Sequence, residues 1–299
     1  MSDPLSEVRT FVYLNCSGGQ FPEDVCGFAF PTNAQKYNFG LVSVSDCATL
    51  LSRIHILPGL QSESENIMNF HKPVSREEWL EARRALLQRE KAFTRERDAL
   101  SALRRELPMV QVETPYLFHA EAGDQSLLEL FGDNRQLIIY HFMFGPDWEQ
   151  GCPSCSFWMD NLDGIEAHLA ARDTAFACVS NASLDKLLAY RQRLGWSFKW
   201  VSAEETSFSA DFAVSFHEGD EGLTRTGYNY SGKVYGKEMP GISVFVREGD
   251  TVLHSYSTYS RGLDMMNGAY HMLDLTPLGR QEDGLDGTMS WLRRRDAYG

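Results

Sequence analysis

The chain has 299 residues, 43% of them hydrophobic, which is enough to bury a full core in one main domain with additions. A formal net charge of −13 repels polyanions and so excludes nucleic acid as a partner, because that binding depends on Lys and Arg neutralising phosphates. A 12% share of aromatic residues excludes general disorder.

Residues 1–70 have no sustained hydrophobic period. The polar run Gln61-Ser62-Glu63-Ser64-Glu65-Asn66 reads as a linker, so this stretch is expected to be an extension, loosely structured or appended. Met1-Ser2-Asp3-Pro4 lacks the basic flank and apolar stretch of a secretory signal, and the longest apolar run, Leu137 to Phe144, is too short to cross a bilayer. A reducing, cytoplasmic setting without membrane contact is therefore expected. At Ser75 the pattern changes: Ser75 and Glu78 form a capping box, and a single helix within 71–108 is predicted to run to Leu107, where Pro108 stops it. Trp79, Ala82, Leu86, Leu100, Leu103 and Leu107 share one face of it, with Arg and Glu elsewhere. That stripe is expected to pack within the chain, with homo-oligomer formation through the helix as the alternative.

From 109 to 299 the sequence reads as an α/β domain. Tyr116-Leu117-Phe118, a turn at Gly123-Asp124 and a short segment Leu127 to Phe131 precede the strongest strand, Leu137 to Phe144, whose continuous apolar character suits a central strand covered on both faces. A loop from Gly145 to Gly151 leads into a helix through Phe157, Leu162 and Leu169. A strand at Thr174 to Val179, a helix at Leu184 to Leu194, and a hairpin of Ile242–Val246 with Val252–Tyr256 around Gly249-Asp250 complete the plan. Ser197 to Tyr235 reads as an insertion of loops with a short element or two.

Of six cysteines, Cys152 and Cys155 form a motif, Cys152-Pro153-Ser154-Cys155; Cys16, Cys26, Cys47 and Cys178 read as buried or incidental thiols. A Cys-x-x-Cys opening a helix places a sulfur where amide N–H groups and the helix dipole favour thiolate. Cys152 is then the nucleophile towards a disulfide and Cys155 the resolving thiol, while Pro153 and Ser154 tune the pair. Two thiolates so spaced are also half a zinc site, but no second such pair or paired His completes it, so no metal and no cofactor are expected. His141, on the strand that ends near the motif, is the candidate proton carrier for Cys155, ahead of the loop carboxylates Asp147 and Glu149. Far along the chain, Met239-Pro240 directly precedes a strand. In thioredoxin-like folds a cis-proline at this place faces the cysteine pair, so a cis Met239–Pro240 bond lining a substrate groove is expected.

The run Tyr140-His141-Phe142-Met143-Phe144-Gly145-Pro146-Asp147-Trp148, with Gly151-Cys152-Pro153-Ser154-Cys155-Ser156-Phe157-Trp158, resembles a thioredoxin-like family catalogued as domain of unknown function 899. Upstream the resemblance includes Trp79, Ala82-Arg83, Leu86-Leu87 and Glu90-Lys91. Downstream it includes Gly195-Trp196, Tyr228-Asn229, Pro240-Gly241, Tyr256 to Gly262, Leu273 to Arg280 and Trp291. It implies a thioredoxin-like fold: a central mixed sheet flanked by helices, here with the long N-terminal helix and a loop-rich insertion. The expected function is thiol-disulfide oxidoreductase, with a disulfide substrate (protein or small thiol) and a separate reductant as partners. The alternatives are a peroxiredoxin-like peroxidase and, in another class, a binding module or Cu(I) carrier drawing on Met143, Met159 and Met239.

Overall fold

The computed structural model describes residues 73–216 and 227–299, together with the backbones of two strands, Val25–Phe30 (β1) and Asn38–Ser43 (β2). The chain divides into two compact units, Met1–Pro73 and Val74–Gly299. In the first, β1 and β2 pair antiparallel without a break, from Val25 opposite Ser43 to Phe30 opposite Asn38. This pairing lies in a stretch whose sequence shows no period. Cys16, Cys47 and the polar run 61–66 lie outside the described residues, as does part of the 197–235 insertion.

The second unit opens with helix α1, Arg76–Arg105. Ser75 Oγ accepts from the Glu78 N–H at 3.1 Å and Glu78 returns the bond to the Ser75 N–H at 2.9 Å, so two donors left over at the helix start are satisfied reciprocally. The expectation that its apolar stripe packs within the chain is overturned among the described residues. No residue of α1 is buried, and Trp79, Leu86, Leu100, Leu103 and Leu107 are all exposed. The physical reason is that both faces of the sheet are already covered by other segments.

That sheet has six strands in the order β3-β10-β9-β6-β7-β8. They are Val110–Gln111 (β3), Gln136–His141 (β6), Thr174–Ser180 (β7), Trp200–Ser202 (β8), Gly241–Glu248 (β9) and Thr251–Tyr259 (β10). Two further short strands, Leu117–Phe118 (β4) and Gln125–Ser126 (β5), pair with each other. β6, β7 and β8 are parallel, while β9 runs antiparallel to β6 and forms a hairpin with β10. Between β6 and β7 lie α2, Pro153–Leu162, and the short α3, Glu166–Ala170; between β7 and β8 lies α4, Leu184–Leu194. A β-α-β crossover followed by a hairpin, with strands ordered β7-β6-β9-β10, is the thioredoxin-like fold.

Alternation along the strands builds two cores. Tyr140, Phe176, Cys178, Trp200 and Ile242 face one side and pack with Trp158, Met159 and Leu162 of α2 and Leu187, Tyr190 and Leu194 of α4. Leu137, Ile139, Ala177, Val179, Val201 and Phe245 face the other and are covered by Tyr116, Phe118, Leu127, Leu130 and Phe131, and by Phe208 of the short helix α5, Phe208–Asp211. One expectation changes. The helix after the cysteines breaks at Asp163-Gly164, where Gly164 has φ +85°, a conformation that ends a helix without a Cβ clash. The insertion from Ser197 supplies β8, a full member of the main sheet. Among the described residues no helix is long and apolar enough to cross a membrane.

Candidate functional site

Strand β6 delivers the chain to the site. Its continuation is held at both ends of the loop: the Cys152 N–H donates to Met143 O at 3.0 Å, and the Ala182 N–H donates to Phe144 O at 2.8 Å. Gly151 is required here by close approach, since a Cβ would lie 2.7 Å from the Phe142 ring and 3.1 Å from Tyr190. Cys152 is the N-cap of α2 and Pro153 its first residue, where the missing N–H costs nothing.

The two cysteines, one helical turn apart, occupy different environments. Cys152 is half-buried and reachable; Cys155 is 1% exposed. The Cys155 thiol hydrogen-bonds to the Cys152 sulfur and, with the N–H groups of Cys155 and Ser154 and the Ser154 hydroxyl, pulls the Cys152 thiol down to about 6, against the opposing effect of burial. Burial pushes the Cys155 thiol well up, and the hydrogen bond and negative charge of Cys152 push it further. The Met143 N–H, 3.5 Å from Cys155 Sγ, and the Tyr140 hydroxyl are the groups that ease its ionisation.

Pro153 and Ser154 therefore sit where the sequence places them, with Ser154 acting directly on Cys152. His141 does not. On β6 it points to the opposite face from Tyr140, stacks on Phe208 and Phe212, and bonds through Nε2 to Ser243 Oγ at 2.8 Å. Burial, with His254 nearby, pushes it down to about 3, and it packs in the core on the sheet face opposite the sulfurs. The alternation of β6 places Tyr140, not His141, beside Cys155. Asp147 and Glu149 are exposed loop residues. Met159 is buried in the Cys155 core with Met143 at its margin, while Met239 belongs to a separate cluster with Val214 and Tyr228. Arg261 and Arg280 are tied to carboxylates, Arg261 to Asp264 at 2.8 Å and Arg280 to Asp264 at 3.0 Å and Asp274 at 2.7 Å.

Pro240 does precede β9, and Gly241 stands opposite His141 in the register, which brings it to the strand end that carries the loop. The cis expectation is corrected: no peptide bond among the described residues is cis, so Met239–Pro240 is trans. The backbone leading to it is already paired, with the Met239 N–H donating to Val214 O and the Phe216 N–H to Lys237 O, both at 2.8 Å. That pairing continues an extended chain, which the default trans bond suits, and it removes the Met239 N–H from any substrate groove.

Sequence reasoning missed Tyr228. Its hydroxyl donates to Pro240 O and accepts from the Ser260 N–H, each at 2.8 Å, and the Cys155 charge is one of the influences raising its phenol behind the leading effect of burial. Gly227, Asn229 and Tyr230 around it all have positive φ. The Tyr228-Asn229 pair belongs to the family resemblance, and that was the available signal. Among the described residues no group of three or more His, Cys, Asp or Glu is gathered as a metal cage would need.

An accessible cysteine capping the helix after the central strand, with a buried partner one turn on, defines a thioredoxin-fold dithiol protein. The chain belongs to the family described as bacterial protein of unknown function (DUF899), whose model matches residues 68–298. No curated protein matches it in sequence. Among solved structures it is similar to peroxiredoxin Q of Xanthomonas campestris, at 13% identity over 56% of this chain and 98% of that one with a TM-score of 0.38. Peroxidoxin BcpB of Mycobacterium tuberculosis matches at 13% identity over 56% and 97% with a TM-score of 0.38. The hypothetical protein SMc02350 of Sinorhizobium meliloti 1021 matches at 12% over 49% and 68% with a TM-score of 0.32.

Proposed function

We propose that the protein is a thiol-disulfide oxidoreductase in which Cys152 attacks and Cys155 resolves. The observation that carries this reading is the placement of the sulfurs: Cys152 is half-buried at a helix start and Cys155 is fully buried one turn on, an arrangement that favours thiolate at the first and thiol at the second. The Cys152 thiolate attacks one sulfur of a substrate disulfide, forming a mixed disulfide and expelling a substrate thiolate, which takes a proton from water. Cys155 then attacks the Cys152 sulfur, its proton passing to the second substrate thiolate as that leaves, and a Cys152–Cys155 disulfide remains. Two electrons have passed to the substrate, and an external dithiol must return them. Tyr140 supports the second step, since its hydroxyl can donate to the Cys155 sulfur as charge develops there.

The test is a trap. Cys155→Ser, incubated with oxidised glutathione or with a disulfide-bonded test protein, is expected to accumulate a mixed disulfide at Cys152, seen as a mass increase removed by reductant. Cys152→Ser is expected to form none. No adduct with either disulfide, alongside peroxide consumption that depends on Cys152, would overturn the reading in favour of a peroxidase.

A further inference from the structure

The end of the chain is strapped across the base of the cysteine turn. Trp291 anchors the strap, with its ring 6.0 Å from that of Phe157 on α2 and its Nε1 donating to Glu282 at 2.8 Å. Three consecutive residues then reach three different places. Arg294 donates from Nη2 to Gly151 O at 2.6 Å and from Nε to Tyr190 Oη at 2.8 Å. Arg295 donates to Leu194 O and pairs with Asp160 at 3.3 Å. Asp296 accepts two bonds from Arg193, whose remaining nitrogen donates to Gln150 Oε1 at 3.1 Å. The two residues immediately before Cys152 are thus both held, one directly and one through Arg193.

Arg294 also heads a hydrogen-bond chain with a fixed direction. A guanidinium can only donate, so Tyr190 must accept from it and turn its own proton elsewhere. The Ser156 Oγ lies 2.9 Å from Tyr190 Oη and Gly151 O lies 3.4 Å away. With the Tyr190 proton directed to Ser156, the Ser156 hydroxyl donates to Cys152 O, 2.8 Å distant. The carbonyls of Gly151 and Cys152 are therefore both fixed by a network that begins at Arg294. A bulkier residue at 151 has no room, so the backbone oxygen is the available handle.

We propose that Arg294 is a positioning residue for the nucleophile: it clamps the Gly151-Cys152 backbone so that the Cys152 sulfur sits where the Ser154 and Cys155 N–H groups converge. The proposal rests on the reading of Cys152 as the attacking thiol. Full-length Arg294→Met, Arg294→Lys and Arg293→Met are compared by ultraviolet titration of the Cys152 thiolate and by its alkylation rate across pH. Arg293 is exposed, and its backbone N–H, which bonds Tyr298 Oη at 3.0 Å, survives the change, so this variant is the control.

Arg294→Met is expected to move the titration upward by about one pH unit and to slow alkylation at mildly acid pH roughly tenfold. Arg294→Lys, a single donor that cannot bridge Gly151 and Tyr190 together, falls between it and wild type, and Arg293→Met matches wild type. A folded Arg294→Met that titrates as wild type overturns the proposal. Should that variant not fold, Arg294→Lys and Tyr190→Phe decide the matter: an upward shift in either supports it, and wild-type titration in both overturns it. A wild-type Cys152 that titrates as an ordinary thiol overturns instead the oxidoreductase reading beneath it.

Discussion

Cys152 and Cys155 are the same functional group one helical turn apart, and what separates them is access to solvent and the direction of the donors around them. Cys152 gains the Cys155 thiol as a donor and then the N–H and hydroxyl donors of a helix start, whereas Cys155 gains full burial and then the hydrogen bond and charge of Cys152. The consequence is a pH profile. Alkylation of Cys152 is expected to be slow below about pH 6, to rise through that value and to level off above it, while Cys155 stays unmodified in the folded protein. Mass mapping of alkylated peptides across pH checks this, and a midpoint near the 9.0 of an ordinary thiol would refute it. The placement of the two sulfurs one turn apart at a helix start was legible because neighbours in sequence create it, in the Cys152-Pro153-Ser154-Cys155 spacing. His141 is not the proton carrier expected for Cys155, because the alternation of the strand turns it to the face opposite Tyr140 and Phe142. Arg294 was out of reach altogether, because it meets Gly151 across 143 positions.

At the scale of elements, α1 and α4 were legible nearly to the residue. Ser75 and Glu78 announce the start of α1, and Gly195, with φ +68°, closes α4 after Leu194. These are local signals, read from residues three and four apart. Because α1 has no buried residue, its first turn depends on the capping box more than a packed helix would. Ser75→Ala is expected to destabilise the start of the helix by about 1 kcal/mol, seen as faster hydrogen exchange over its first turns with little change in global unfolding. Unchanged exchange there would contradict the argument. Strand β8 was not legible, since the three residues Trp200-Val201-Ser202 are too few to show a period and become a strand only by pairing with Cys178, Val179 and Ser180.

Across the whole molecule, the sheet face opposite the cysteines carries a buried polar chain that joins three strands. His141 bonds Ser243, the Ser243 and Ser257 hydroxyls lie 2.8 Å apart, and Ser257 bonds His254 at 2.8 Å. His141 is pushed from 6.5 down to about 3, and His254 is also lowered, both chiefly by burial. Above pH 6.5 the imidazole is neutral in the folded and unfolded states alike. As pH falls towards 3 the unfolded chain takes up a proton that the folded one refuses, so this stability is complete above 6.5 and declines below it. Denaturant unfolding from neutral to acid pH is expected to show His141→Gln with a shallower decline than wild type, by up to about 1.4 kcal/mol per pH unit. Equal slopes would rule out His141 as the acid-sensitive group.

By itself the sequence determined the α/β class, the long capped helix and the cysteine pair, because each of these is written in residues a few positions apart. Tertiary structure decided which side of β6 faces the sulfurs, that the Met239–Pro240 bond stays trans in a chain already paired with Val214, and that the C-terminal strap reaches the cysteine turn. Those outcomes depend on which segments fill each face of the sheet and which backbone groups remain unpaired. Such quantities belong to the folded chain, where residues distant in sequence compete for the same space and the same hydrogen bonds.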